Sequence, residues 1–347
     1  MIKALSLFSG GLDSILATRL VMDQGVTVEA IQFVTPFFNY HLLADPAAHA
    51  RQIFAQYGIT VRLVDLSDGY LRLLHQPVHG FGRHFNPCID CKILMFSRAR
   101  EMLAERDASF LISGEVLGQR PMSQRLDTLH LISRDSATRA LLLRPLSAQL
   151  LPETEVERRG WVDRRRLLRL HGRTRSGQMA LAAQLGITEI PAPAGGCILA
   201  DPILSRRIAA IYAGESALDA AEISVEDIRT LLVGRQFRLP GGGWLVVGRD
   251  QKDNQRLLDC AGPDDAVLLM ADWAGPVALL KKAASRYLDP EELTRDLDRA
   301  AALVVRYGRR LPAGMVGREV GCTLAGRHRL LYARPLADEQ FRNWMLS

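Results

Sequence analysis

The chain has 347 residues, 48% of them hydrophobic, which is enough for two domains that each bury a core. The 44 basic residues exceed the 38 acidic ones, and the net charge of +6 favours a polyanionic partner. No apolar run reaches the roughly 18 residues of a membrane span, and the N-terminus does not have the pattern of a signal peptide. Five cysteines, two of them in a Cys-x-x-Cys pair, are not typical of a secreted disulfide framework. We therefore expect a cytoplasmic protein without a membrane partner.

A glycine-rich turn follows the first apolar run. Residues 2–8 predict a buried strand, and residues 15–24 have the apolar spacing of a helix. Between them lie Ser9, Gly10, Gly11, Leu12, Asp13 and Ser14. Adjacent glycines permit positive φ and bring backbone N–H groups close to an anion at a helix N-terminus, while Asp13 offers a carboxylate for phosphate-bound Mg²⁺. The alternative is an ordinary strand-to-helix turn that binds no ligand.

The turn resembles the PP-loop of the ATP pyrophosphatase superfamily, whose members split ATP between its α and β phosphates to adenylate a substrate. A kinase-type phosphate loop does not fit, because no lysine follows the glycines. The resemblance implies ATP and Mg²⁺ as cofactors and Asp13 as a catalytic residue. It also implies that the nucleotide is bound by Ser9, Gly10, Gly11, Asp13 and Ser14.

Further strands and helices alternate along the first half of the chain. Apolar runs at 26–34, 60–66 and 109–113 alternate with helical patterns at Pro46–Tyr57 and about 91–105. This order predicts an α/β fold, a Rossmann-like parallel sheet with helices on both faces, which the resemblance assigns to the adenine nucleotide alpha hydrolase type. Ligands of such sheets gather at the carboxyl ends of the strands. The glycine turn and the turn at Gly114 should therefore face one crevice.

Three cysteines stand out from the apolar pattern. Cys88 and Cys91 lie at the start of a predicted helix, where the helix dipole is expected to lower a thiol pKa, and Cys197 follows glycines 195 and 196 in a loop. Cys260 and Cys322 lie in apolar segments and are expected to be buried packing residues. Three thiolates are compatible with an iron–sulfur cluster that has one open iron, or with a persulfide carrier and a resolving thiol. A structural zinc site would need a fourth ligand, for which His84 is the nearest candidate.

Two segments resemble tRNA sulfur transferases. Asn86-Pro87-x-x-x-Cys91 resembles the N-P-D-x-x-C segment of tRNA 2-thiouridylases, with Cys88 in place of the aspartate, and Cys197 looks like their distant second cysteine. Residues 114–124 are similar to the G-E-S-L-G-Q-x-x-S-Q segment that lies beside the nucleotide in tRNA 4-thiouridine synthases. This similarity implies that Gly114 and Gln119 bind the nucleotide.

The cysteine pattern also resembles cluster-dependent tRNA thiolation enzymes, in which three cysteines hold a [4Fe-4S] cluster whose open iron carries hydrosulfide. That likeness implies Cys88, Cys91 and Cys197 as metal ligands. The persulfide alternative has Cys197 carry the sulfane sulfur and Cys91 resolve it by forming a disulfide. In both cases Cys91 and Cys197 belong to the catalytic set.

These resemblances imply ATP-dependent tRNA thiolation. A nucleobase carbonyl oxygen is adenylated, pyrophosphate leaves, and sulfur replaces the oxygen, so the implied partners are tRNA and a sulfur donor, either a protein persulfide or sulfide. One alternative is a PP-loop ligase or sulfurtransferase that acts on a small molecule and holds a zinc site. Another is a non-catalytic protein that binds RNA or a nucleotide.

The predicted domains are residues 1–205 for ATP binding and thiolation, 206–233 for a helical connector, and 234–347 for a smaller α+β domain. Residues 157–178 hold eight arginines against two acids, which suits RNA phosphates, although such a run is also typical of a solvated surface. The last domain should contain a hairpin at 237–247, helices at 251–261 and Pro290–Tyr307, and a strand at 266–270. Residues 247–254 resemble a segment of an RNA-binding domain of ribosome-quality-control proteins.

Overall fold

The computed structural model describes residues 2–82, 84–192, 197–213 and 222–346. The chain divides into two compact units, Met1–Ala200 and Asp201–Ser347. Residues 193–196, which include the two glycines before Cys197, lie outside the described residues. None of the described helices is both long enough and apolar enough to cross a bilayer.

The first unit alternates strands and helices as expected from the sequence. Its strands are β1 (Lys3–Leu7), β2 (Thr27–Val34), β3 (Thr60–Asp65), β4 (Phe110–Ser113) and β5 (Leu142–Leu143). Its helices are α1 (Leu12–Met22), α2 (Pro46–Tyr57), α3 (Ser67–His75), α4 (Cys88–Glu105), α5 (Leu126–Asp135), α6 (Glu155–Arg158) and α7 (Ser176–Gln184).

The five strands form one parallel sheet in the order β3-β2-β1-β4-β5. The expected parallel α/β sheet is confirmed. Side chains alternate between two buried clusters: Ala4 and Phe110 pack on one face of the sheet, and Leu5 and Leu111 on the other. Leu7 is in register with Ser113, so the carboxyl ends of β1 and β4 lie side by side. The glycine turn and the turn at Gly114 therefore start from neighbouring positions.

The second unit is built on an antiparallel sheet. Its helices are α8 (Pro202–Tyr212), α9 (Val225–Leu231), α10 (Gln251–Asp259), α11 (Ala283–Arg286), α12 (Pro290–Tyr307) and α13 (Asp338–Phe341). Its strands are β6 (Arg235–Arg238), β7 (Trp244–Val247), β8 (Ala266–Met270), β9 (Ala278–Lys281), β10 (Arg318–Leu324), β11 (Arg327–Ala333) and β12 (Met345–Leu346).

These seven strands follow the order β11-β10-β8-β9-β7-β6-β12, and the predicted hairpin is the β6–β7 pair. Helix α12 buries an apolar face in the core of this unit, where Cys322 is fully buried; Cys260 is buried at the end of α10. Both cysteines are packing residues, as the sequence predicts. Helix α9, within the expected connector, is tied to the sheet by Gln236, whose side-chain amide donates to the carbonyl oxygens of Thr230 (3.0 Å) and Val233 (2.5 Å).

Candidate active site

The glycine turn joins β1 to α1 in a tight hydrogen-bonded loop. Gly10 has φ of +76°, a conformation that favours glycine, whereas Gly11 is extended with φ of −82°. The Ser14 hydroxyl donates to the carbonyl oxygen of Gly11 (2.7 Å) and accepts from the amide of Ser9 (3.2 Å). The Gly11 amide donates to the Ser9 hydroxyl oxygen at 3.3 Å. These bonds fix the turn at the N-terminus of α1, where an anion is stabilised.

The residues after β4 pack directly against this turn. A methyl group on Gly114 would lie 2.6 Å from the amide nitrogen of Ser14 and 2.7 Å from the carbonyl oxygen of Asp13, so only glycine fits there. The side-chain amide of Gln119 donates to Oδ2 of Asp13 at 2.7 Å. Oδ1 of Asp13 is buried and has no partner among the described residues. A free carboxylate oxygen beside a phosphate-type turn fits a Mg²⁺ ligand.

A buried carboxylate connects this turn to the cysteine helix. Glu115 forms ion pairs with Lys92 of α4 and with Nε of Arg144 at 2.8 Å, and all three side chains are largely buried. Burial alone would raise the pKa of Glu115, but the two cations outweigh it and the pKa is lowered. Glu115 therefore stays ionised and holds the first turn of α4 at the end of β4.

A second polar network fixes the start of α4. Asp90, between the two cysteines, is buried and accepts from the amide (2.9 Å) and Nδ1 (3.0 Å) of His79. Nε2 of the same histidine lies 3.2 Å from a carboxylate oxygen of Asp135 on α5. The side-chain Nδ2 of Asn86 donates to the sulfur of Cys88 at 3.3 Å. The Cys-x-x-Cys pair is therefore held on a rigid helix end.

Burial and neighbouring thiols raise the pKa values of Cys91 and Cys197. The pKa of Cys91 is raised to about 12, first by burial and then by the negative charges that Cys197 and Cys88 would carry, although a hydrogen bond from Tyr70 opposes this. Burial and Cys88 also raise the pKa of Cys197. The expected lowering of the thiol pKa by the helix dipole is wrong for Cys91, because burial and like charges outweigh the dipole. All three cysteines are free and partly exposed as residues.

This donor set fits an iron–sulfur cluster in its chemistry. Thiolates are the usual ligands of iron in such clusters, and cationic iron would relieve the repulsion that raises the two pKa values. Across the described residues, no three His, Cys, Asp or Glu side chains are already arranged as a metal site. His84, the candidate fourth zinc ligand, uses its backbone amide to donate to Oδ1 of Asn86 at 3.2 Å.

Half of the basic segment is neutralised by acids. The arginines at 158 and 159 pair with Glu155, while those at 164 and 165 pair with Glu157 and Asp163. Within the described ranges, no ion pair is found for Arg169, Arg173 or Arg175. They flank Gly172, whose amide donates to the carbonyl oxygen of Leu117 at 2.7 Å, so this stretch of backbone runs beside the Gly114–Gln119 turn. Arg166 also has no ion pair among the described residues, and its guanidinium donates to the carbonyl oxygen of Asp23 at the end of α1 (2.9 Å).

The two parts of the chain match two family models. Residues 2–149 match the model described as "Thiamine biosynthesis protein (ThiI)". The first unit contains a ThiI-family domain. The resemblance of the glycine turn and of residues 114–124 to PP-loop tRNA sulfurtransferases is confirmed for this ThiI-family domain. Residues 234–345 match the model described as "NFACT protein RNA binding domain", in agreement with the resemblance of residues 247–254.

Curated relatives of the ThiI-family domain are named probable tRNA sulfurtransferases. The protein of Thermoanaerobacter sp. (strain X514) is 31% identical over 131 residues, which is 37% of this chain and 33% of that protein. The protein of Staphylococcus epidermidis (strain ATCC 35984) is 32% identical over 151 residues, 42% of this chain and 34% of that protein. The chain thus spans about a third of the length of these relatives.

Two solved structures are similar in part. A 4-thiouridine synthetase in complex with RNA and bound ATP has 22% identity and a TM-score of 0.34, covering 53% of this chain and 51% of that one. The U34-tRNA thiolase NcsA from Methanococcus maripaludis, with its [4Fe-4S] cluster, has 16% identity and a TM-score of 0.29, covering 56% of this chain and 60% of that one.

Several contributors to the site were not predicted from the sequence. Tyr70 lies on α3, is 1% exposed and reads as an ordinary apolar helix position, yet it is hydrogen-bonded to Cys91. Arg144, just after β5, pairs with Glu115 at the end of the neighbouring strand β4. Gln178 of α7 donates to the side-chain oxygen of Gln119 at 3.2 Å. The sequence carries no signal for these contacts, because each joins segments that are far apart in the chain.

Proposed function

We propose that this chain is an ATP-dependent tRNA sulfurtransferase. ATP adenylates a carbonyl oxygen of a tRNA base and pyrophosphate leaves; a sulfur nucleophile then attacks that carbon and AMP departs with the oxygen. Adenylation is needed because oxide and hydroxide are poor leaving groups. The names of the curated relatives and the two family models support this assignment.

One set of contacts carries the proposal. Cys91 is followed by Lys92, which pairs with Glu115; Glu115 follows Gly114, which packs on the backbone of Asp13. The Cys-x-x-Cys pair and the glycine turn are thus anchored to the same end of β4. An activating half and a sulfur-delivering half next to each other are what a two-step thiolation requires.

The glycine turn would hold the triphosphate. Its N–H groups and the N-terminus of α1 stabilise the negative charge that develops on pyrophosphate, and Mg²⁺ on Oδ1 of Asp13 would add to that stabilisation. Gln119 keeps the carboxylate of Asp13 in place through its hydrogen bond to Oδ2. Asp13, Gln119, Gly114 and the loop serines are therefore the proposed ATP-binding residues.

The thiols would deliver the sulfur. Cys88, Cys91 and Cys197 would hold a [4Fe-4S] cluster, which would supply a binding site for the sulfur nucleophile. In the persulfide alternative, the terminal sulfur on Cys197 attacks the activated carbon, and Cys91 then attacks the Cys197 sulfur, leaving a disulfide and the thiolated base. The raised pKa of Cys91 favours the cluster, because a protonated thiol is a poor resolving nucleophile whereas metal binding removes the proton.

The activity is tested by ATP–pyrophosphate exchange with unmodified tRNA, followed by mass spectrometry of the tRNA nucleosides. We expect exchange and a thionucleoside with the wild-type protein, and loss of both with Asp13→Asn. Asp23→Asn, at the end of α1 and outside the site, is the matched control. Exchange that depends on a small molecule and not on tRNA would instead favour a ligase, and no exchange with any RNA would favour a non-catalytic protein.

The sulfur route is tested with Cys88→Ala after anaerobic purification. A cluster requires three cysteines, so the variant should lose the iron, the acid-labile sulfide and the absorption near 400 nm together with thiolation. The persulfide route needs only Cys91 and Cys197. An iron-free Cys88→Ala protein that still thiolates tRNA would refute the cluster.

We also propose that Arg169, Arg173 and Arg175 contact RNA phosphates beside the site. Replacing all three by Ala should weaken tRNA binding. The slope of log K against log salt concentration should become shallower by the equivalent of up to about three lost phosphate contacts. The matched control replaces Arg158 and Arg159, which are already paired with Glu155. Equal effects of the two variants would show that the free arginines have no special role.

A further inference from the structure

A chain of side-chain amides extends inward from the carboxylate of Asp13. Nε2 of Gln119 donates to Oδ2 of Asp13 at 2.7 Å, and Nε2 of Gln178 donates to Oε1 of Gln119 at 3.2 Å. Gln178 is 1% exposed on α7, and its Oε1 is buried with no partner among the described residues. The chain therefore ends on an unpaired acceptor.

The direction of this chain follows from its first member. A carboxylate can only accept hydrogen bonds, so Gln119 must turn its NH₂ group towards Asp13 and its oxygen away. Gln178 must then donate to that oxygen, which leaves its own oxygen at the far end. The unpaired acceptor is thus set by the charge of Asp13, and does not depend on an arbitrary choice between the two ends of an amide.

A buried carbonyl oxygen without a donor is costly, so a bound ligand that offers a donor there would be stabilised. Phosphate oxygens are acceptors and cannot satisfy it. Under the proposed function the ligand that binds next to Asp13 is ATP, whose hydrogen-bond donors are the ribose hydroxyls and the adenine amino group. The turn at Gly10 takes the phosphates, so the adenosine part remains to supply the donor.

We propose that Gln178 is a nucleotide-recognition residue whose Oε1 accepts a hydrogen bond from the adenosine part of ATP, and that it holds Gln119 in the orientation that Asp13 requires. This inference rests on the proposed use of ATP. It assigns to α7 a role in binding the nucleoside, in addition to the phosphate site at the glycine turn. One hydrogen-bonded chain would thereby connect recognition of the nucleoside to the carboxylate proposed to hold Mg²⁺.

The test compares Gln178→Leu, which has a similar volume and no acceptor, with Gln184→Leu at an exposed position of the same helix. ATP binding is measured by calorimetry and by the KM of pyrophosphate exchange, for ATP, 2′-deoxy-ATP, 3′-deoxy-ATP and the triphosphate of purine riboside. Loss of one hydrogen bond should weaken ATP binding about 3- to 10-fold in Gln178→Leu and leave Gln184→Leu unchanged.

The analogues identify the partner. The analogue that lacks the donor should bind the wild-type protein about 3- to 10-fold more weakly than ATP does. Its affinity should not fall further in Gln178→Leu, because the donor and the acceptor belong to the same hydrogen bond. Analogue losses that add fully to the Gln178→Leu loss would overturn the inference, as would unchanged ATP binding in that variant. Absence of ATP binding by the wild-type protein would instead overturn the proposed function itself.

Discussion

Gly114→Ala should separate the glycine turn from β4. The added methyl group would lie 2.6 Å from the amide nitrogen of Ser14 and 2.7 Å from two backbone atoms of Asp13, whereas ordinary contact begins near 3.4 Å. Because the opposing atoms are backbone, no side-chain rotation can relieve the clash. The turn would have to move by nearly 1 Å, about the difference between these distances. Such overpacking costs about 1–3 kcal/mol of unfolding free energy, or several degrees in Tm for a unit of this size.

Gly114→Ala should reduce the rate of ATP–pyrophosphate exchange more than it reduces the stability of the fold. A displacement of about 1 Å at a catalytic group reduces rate roughly a hundredfold, so pyrophosphate exchange should fall by about that factor while the protein remains folded at 25 °C. Gly69→Ala, within α3, is the matched control. Its methyl group would lie 3.6 Å from the side chain of Leu94 on α4, which is ordinary contact, so neither Tm nor exchange should fall. Thermal denaturation and exchange measured on both variants decide the matter. A Gly114→Ala protein with wild-type Tm and exchange would refute the packing argument.

Three further predictions concern buried polar groups. Glu115→Gln should lose about 3 kcal/mol of unfolding free energy at pH 7, measured by urea titration. Because the pKa of Glu115 is lowered from its ordinary value of 4.5, its contribution is present above pH 4.5, and the difference from wild type should shrink as the pH falls through the lowered pKa. In the metal-free protein at pH 8, alkylation of Cys91, measured by peptide mass spectrometry, should be slow, because a pKa of about 12 leaves roughly one thiolate in ten thousand. Tyr70→Phe should slow alkylation further, because the hydrogen bond from Tyr70 lowers the pKa of Cys91. Fast labelling would contradict the raised pKa. Asp296 is a fully buried carboxylate that accepts hydrogen bonds from a tyrosine hydroxyl (2.6 Å) and an arginine (2.7 Å). Asp296→Asn should therefore destabilise the second unit by about 2 kcal/mol, measured by a thermal scan. ATP binding by the first unit, measured by calorimetry, should not change.

The sequence was sufficient for the fold wherever periodicity and turn chemistry agree. Helices α2 and α12 begin at the residues expected, because a proline occupies the first turn of each and the N-cap carboxylates of Asp45 and Asp289 accept from their amides. The alternation of apolar runs with helical patterns is sufficient to predict a parallel sheet. The strand order is not predictable in the same way, since it depends on which strands pair across the sheet.

The site was predictable only as separate pieces. Gly114 and Gln119 were recognised by resemblance, yet the reason for the glycine, a backbone contact with Ser14, is visible only in three dimensions. Tyr70 and Gln178 carry no sequence signal, because a tyrosine or glutamine inside a helix is usually a packing or surface residue. Their roles arise from contacts between residues that are distant in the chain.

The thiols show why a local rule fails at this site. The start of α4 supplies the helix dipole that lowers a thiol pKa by a fraction of a unit to a few units, and this reasoning needs only the sequence. Burial of Cys91 and the approach of Cys197, which is more than a hundred residues away in the chain, act in the opposite direction and prevail. Two thiols that resist ionisation, Cys91 and Cys197, are poor separate nucleophiles, whereas a bound cation would stabilise both thiolates at once. The same crowding that contradicts the expected pKa is therefore an argument for a shared metal cofactor.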